Sequence, residues 1–160
     1  MSLNILTCNE ENVTDVMYSA FEPIGRVLDI DRISILSIQD NSASFRYSWR
    51  ADGSKNPLED GFNIDAMTLL QRRLLSLEPI IIDDIDSIKE GAAAEYALLK
   101  AHNVASLVLF PLIDRQSVFG ILTASILHHP QPWSQTQTTI LSRLSTTVSE
   151  LHIRLKTKTK

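Results

Sequence analysis

Two apolar runs joined by a short polar turn constrain this chain more than any other feature. Ser106-Leu107-Val108-Leu109-Phe110-Pro111-Leu112 and Val118-Phe119-Gly120-Ile121-Leu122 flank the turn Asp114-Arg115-Gln116. Such runs on either side of a tight polar connection specify an antiparallel hairpin. Leu107 to Phe110 does not alternate with polar residues, as a strand with one wet face would. Leu107 to Leu112 is therefore expected in a central strand. Upstream, Ile80-Ile81-Ile82 reads as a short strand ending at Asp83-Asp84, followed by a helix-like segment from Ala92 to His102.

The rest of the chain supplies the partners such a hairpin needs. Val13, Val16, Met17, Ala20, Phe21, Ile24, Val27 and Leu28 recur at the three-and-four spacing of one helix face. Asn9 or Asn12 can cap that helix, Glu10, Glu11 and Asp15 suit its N-terminal dipole, and Pro23 should kink it. Arg32–Ile38 and Ala43–Arg50 read as strands around Gln39-Asp40-Asn41-Ser42, with Phe45, Tyr47 and Trp49 expected on one face. Gly53, Pro57 and Gly61 mark a loop, and Met67, Leu70, Leu74 and Leu77 a second helix. Ser87 with Glu90, and Ser134 with Gln137, have capping-box spacing. The last helix carries Leu141, Leu144, Val148, Leu151 and Leu155, a heptad seam, with a sparser set at Ile140 and Ile153. At 160 residues this is one domain. It is placed at residues 10–156, between a lead at 1–9 and a basic tail at 157–160.

This order of elements, with Asn103-Val104-Ala105-Ser106-Leu107, Pro111-Leu112-Ile113 and Gly120-Ile121-Leu122, resembles the GAF domain. The resemblance covers roughly Glu11 to Leu155. It implies an α/β (α+β) fold with a central antiparallel sheet of five to six strands and helices on both faces. Arg46-Tyr47-Ser48-Trp49, Ala92-Ala93-Ala94-Glu95 and Pro132-Trp133-Ser134 further resemble a bacterial branch. Its GAF domains sit in multidomain signalling proteins of the histidine kinase or diguanylate cyclase type. Asn103 stands where many relatives have Gly, and Arg115-Gln116 replaces the usual Gly of the hairpin turn. The Asn-Lys-Phe…Asp-Glu motif of cyclic-nucleotide-binding GAF domains has no match here. Cys8, the lone cysteine, precedes the domain, which disfavours bilin attachment through a pocket cysteine and the multi-cysteine reduction of methionine sulfoxide.

The net charge of −4 argues against a nucleic-acid-binding face. No apolar run approaches the ~18 residues of a membrane span, and Met1 to Leu6 is not a secretory signal, so a cytoplasmic location is expected. Asp83, Asp84 and Asp86 are read as cap and turn residues rather than metal ligands. His128-His129 is read as a solvated pair, and His102 as a partner of helix-terminal carbonyls. Nothing resembles an activated nucleophile or acid/base pair, so neither an enzyme nor a cofactor is expected. The resemblance implies a small-molecule pocket with Tyr47 and Trp49 on its sheet face. Phe62, Leu70, Asp84, Tyr96 and Leu99 would form the roof, with Phe110 and Thr123 as floor candidates. Tyr47 and Trp49 either stack on a ligand or fill the pocket as core. The expected function is regulatory: a sensor of an unknown small molecule that relays a conformational signal to a fused or separate output domain through its terminal helices. The alternative is a non-binding dimerisation module with a self-filled pocket. A homodimer is expected through Val13, Met17, Leu141, Leu144, Val148, Leu151 and Leu155, an ordinary monomer with one wide buried face being the alternative.

Overall fold

The structure is a computed structural model that describes residues 9, 11–53 and 61–158; Cys8, Glu10, Pro57 and Lys160 lie outside the described residues. Two hairpins build most of the sheet. β1 (Arg32–Gln39) and β2 (Ser42–Arg50) close with Gln39 opposite Ser42, and Asp40 and Asn41 both adopt positive φ. Two consecutive positive φ values make the type I′ turn, whose twist matches that of the strands, and Asp and Asn tolerate that conformation. β5 (Val104–Asp114) and β6 (Ser117–Leu127) close the same way, with Arg115 at φ 53° and Gln116 at φ 69°. Neither residue suits the left-handed region, a cost of roughly 1–2 kcal/mol each. The long ladder of this hairpin offsets it.

β3 (Phe62–Asn63) and β4 (Ile80–Ile82) complete a six-stranded antiparallel sheet in the order β3-β2-β1-β6-β5-β4. β1 and β6 join the two hairpins, and Gly120 sits where a Cβ would strike the carbonyl oxygen of Leu36. The expectation of a central β5 needs correction. Leu107–Leu109 has β4 on one side and β6 on the other, but Phe110–Asp114 pairs with β6 alone. Val104 to Leu112 is nevertheless buried throughout. The apolar run encodes burial of both faces by helices, not a central place in the sheet.

α1 (Val13–Val27) and α4 (Gln135–Lys158) cover one face, and α2 (Thr68–Leu75) and α3 (Ala93–Ala101) the other. α1 continues through Pro23 to Val27. α4 begins with the expected capping box: the Gln137 N–H donates to Ser134 Oγ at 3.1 Å and the Ser134 N–H to Gln137 Oε1 at 2.8 Å. Ser87 and Glu90 form no such box. Asp84 caps a 3₁₀ turn at Ile85–Ile88, and α3 starts only at Ala93. The seam of α4 faces inward. Met17, Leu141, Leu144, Val148 and Leu151 are at most 5% exposed within a single chain, and Val13 and Leu155 are half-buried against the same core. These residues dock α1 and α4 on their own sheet.

One irregularity decides which face each aromatic of β2 occupies. Ile35 pairs with Tyr47 but Leu36 pairs with Phe45, leaving Arg46 as an extra residue on β2. Such a bulge inverts the alternation beyond it. Phe45 packs with the α2/α3 core, whereas Tyr47 and Trp49 pack with the α1/α4 core. The three rings do not share a face.

Candidate functional site

Between the sheet and the α2/α3 layer lies a cavity of about 100 Å³. Strand alternation builds its wall. Arg32, Ser34 and Leu36 of β1, Leu107 and Leu109 of β5, and Ile121, Thr123 and Ser125 of β6 point into it. Their neighbours Ile33, Ile35, Val108, Leu122 and Ala124 point to the terminal helices. Met67, Leu70, Leu98, Leu99 and Glu95 close the cavity from the helical side.

Of the residues expected to bind a ligand, Phe62, Leu70, Leu99 and Thr123 line this cavity. Tyr96 packs against the same core, but it stands outside the lining and donates its hydroxyl to Asp86 Oδ1 at 3.1 Å. Asp84 is exposed and its Oδ1 accepts the N–H of Asp86 at 3.0 Å, as a cap does. Tyr47, Trp49 and Phe110 belong to the opposite core. Tyr47 and Trp49 lie beyond the bulge. Phe110 is a parity that a fully apolar strand does not reveal in sequence. Trp49 is a packing residue in all its contacts. Its ring covers Gly25, where a Cβ would enter the ring, its Nε1–H donates to Glu22 Oε2, and Arg26 lies 5.3 Å over its face. The bond from Trp49, helped by Arg26, holds the Glu22 carboxyl below its ordinary pKa.

Three ionisable cavity residues are not among those the sequence pointed to. Arg32 is only 6% exposed, and its Nε has no hydrogen-bond partner among the described residues. Burial, and then the nearby Arg50, pushes its pKa down to about 10, against the opposing pull of Asp52 and Asp31. Glu95 is 9% exposed. Its Oε2 accepts the N–H groups of Leu69 at 2.7 Å and Leu70 at 3.0 Å, capping α2 from another helix, while Oε1 has no partner. His102, the C-cap of α3, turns its side chain to the cavity. Burial, followed by Arg32 and Arg50, lowers its pKa. The available signal was that Arg32 and Ser34 share the parity of Leu36, which places a cation on an inward face.

The remaining candidates serve local structure. Asp83 Oδ1 accepts the Trp133 N–H at 2.9 Å, and the Asp83 carbonyl accepts the Ser106 hydroxyl at 2.7 Å. His128 and His129 are exposed. Among the described residues no three His, Cys, Asp or Glu side chains converge as a metal site, and no helix is long and apolar enough to cross a membrane.

The family model described as GAF domain matches residues 12–150. No curated protein sequence matches the chain. Solved structures similar to it include the far-red-absorbing dark state of a protein with bound biliverdin, at 16% identity, TM-score 0.78, covering 95% of this chain and 94% of that one. The blue-light-absorbing form of the PixJ GAF domain of Thermosynechococcus elongatus follows at 17% identity, TM-score 0.75, covering 99% and 95%. A GAF domain/HD domain protein from Geobacter sulfurreducens has 17% identity, TM-score 0.74, and coverage of 98% and 99%. At these identities the likeness is one of fold.

Proposed function

The chain belongs to the GAF domain family, and from that premise we propose that it is a regulatory module that binds a small molecule in the cavity beneath α2 and α3. The observation that carries this reading is an apolar cavity into which a few buried polar groups converge, the usual composition of a ligand site. In this reading the domain performs no chemical step. Its ligand biases two arrangements of the α2/α3 roof through unequal affinity for them.

Strand alternation supplies a route outward. Leu109 and Ile121 face the cavity while Val108 and Leu122, their chain neighbours, pack against the terminal helices. A ligand that shifts β5 and β6 therefore shifts the seat of α4, and α4 would carry the change to an output domain. The similar protein from Geobacter sulfurreducens, named for a GAF and an HD domain, supports such a fusion. A histidine kinase or diguanylate cyclase output in a cytoplasmic bacterial protein, as the branch resemblance implies, is the form we favour.

Biliverdin, bound by one of the similar proteins, suits this chain poorly. A cavity of about 100 Å³ is well below the ~300–1,000 Å³ of sites for drug-sized ligands. The second reading is a non-binding dimerisation module, and the same small volume favours it. With the α4 seam engaged inside the chain, a homodimer would use the outer side of that helix, where Ile153 is 38% exposed. Thermal shift against a panel of compounds of fewer than about ten heavy atoms separates the two. A ligand that binds only the folded state must raise the melting temperature. If no compound does so at millimolar concentration, the sensor reading fails.

A further inference from the structure

Two buried atoms of opposite character, Nε of Arg32 and Oε1 of Glu95, lack hydrogen-bond partners among the described residues, and both residues line the cavity. Resting on the reading of this cavity as a ligand site, we propose that its ligand is a short, unbranched molecule with a carboxylate at one end and an ammonium at the other. Buried polar groups are hydrogen-bonded as a rule, and an orphaned one costs stability unless something outside the chain completes it. Both residues are more than nine-tenths buried, and both line an otherwise apolar space.

The two groups do not satisfy each other, since no ion pair joins them among the described residues. Their placement explains why. Arg32 acts electrostatically on His102, at the C-terminal end of α3, whereas Glu95 stands in the first turn of that helix. Seven residues separate positions 95 and 102, about 10 Å along a helix axis. The cavity thus has a cationic end at Arg32, with Arg50 acting on it and the His102 ring beside it, and an acidic end at Glu95. Asp31 and Asp52 also act on Arg32, yet its Nε remains without a partner.

Size sets the length of the chain between the charges. A cavity of ~150 Å³ accepts the six heavy atoms of benzene, so about 100 Å³ encloses roughly four, the methylenes of a narrow chain whose charged ends reach the two poles at its margins. Leu70, Leu99 and Ile121 would flank the methylenes. 4-Aminobutanoate and 5-aminopentanoate have the required form. A guanidinium suits a carboxylate by its fork of donors, and an acceptor-only oxygen suits an ammonium.

The test measures dissociation constants by calorimetry for 4-aminobutanoate, 5-aminopentanoate, butanoate, butylamine and 1-butanol. We expect at least one of the amino acids to bind about tenfold or more tightly than butanoate or butylamine. Arg32→Met should reduce that amino acid to the affinity of butylamine, while Arg32→Lys keeps part of the preference. Glu95→Gln should reduce it to the affinity of butanoate. The amide oxygen is needed by the Leu69 and Leu70 N–H groups, so the amide nitrogen, a donor, would occupy the place of Oε1. Circular dichroism checks that each variant is folded, and if Arg32→Met is not, the ligand series on the unaltered protein decides alone. Equal affinity for the amino acids and the singly charged compounds overturns the proposal. If 1-butanol binds and the amino acids do not, this inference falls while the ligand-site reading stands. If nothing binds, both fall.

Discussion

Trp49 shows how far a single side chain can mislead when only its neighbours in sequence are known. A large ring with a polar edge, at an alternating position of a strand, has the chemistry of a ligand platform. One unpaired residue, Arg46, turns it to the other side of the sheet, where it locks α1 in place. Trp49→Ala is therefore expected to cost ~3–5 kcal/mol in a urea melt, with no change in affinity for any compound bound under α2 and α3. Gly25→Ala should cost ~1–3 kcal/mol by the same assay, because the added methyl enters the space of the Trp49 ring. His102 provides a pH signature. Its pKa in the folded chain lies below the ordinary value of 6.5, so folding disfavours its protonation. The stability it contributes is present above pH 6.5 and is lost as pH falls from 6.5 through the lower folded value. The melting temperature of the unaltered protein should drop over that range more steeply than that of His102→Gln.

At the scale of elements, α2 depends on another helix for its start. It has only eight residues, and its N-cap position is Met67, which offers no side-chain acceptor. Glu95 of α3 supplies the acceptor for two of its first N–H groups. A helix this short is not stable by itself, so the contact also fixes the cavity roof. Glu95→Ala should destabilise the protein by ~1–3 kcal/mol, as expected for orphaned buried donors. Hydrogen exchange should accelerate first in Thr68–Leu75, before the β5–β6 ladder. Uniform acceleration across the chain would show instead that α2 has no separate dependence on Glu95. The other long elements are secured locally. The Ser134–Gln137 box starts α4, and the two type I′ turns set the register of both hairpins.

For the whole molecule, the sheet separates a face that holds the terminal helices from a face that holds the cavity. Ligand and output would therefore communicate through strand residues that alternate between the two. The buried α4 seam also sets an expectation for assembly. Leu144→Ala should lower stability by ~2–5 kcal/mol and leave the mass measured by light scattering unchanged, because Leu144 packs within its own chain. A fall in mass without a fall in stability would mean that the seam serves a partner.

The four helices, every strand but β3, the two hairpins, the capping box of α4 and the family are legible in the chain alone. Each of these is written in contiguous residues: apolar spacing, a short polar turn, or a capping pair three residues apart. The sequence also determined four cavity residues, Phe62, Leu70, Leu99 and Thr123. Packing in three dimensions settles which way Tyr47, Trp49 and Phe110 face, that the α4 seam docks on its own sheet, and where the buried charges lie. Alternation in a strand defines two faces without saying which is which, and one bulged residue exchanges them. An apolar stripe on a helix must likewise be buried, but burial by the chain's own sheet and by a partner have the same pattern. Arg32, Glu95 and His102 meet only because β1 and α3 close on opposite sides of one cavity, a juxtaposition no local run of residues records.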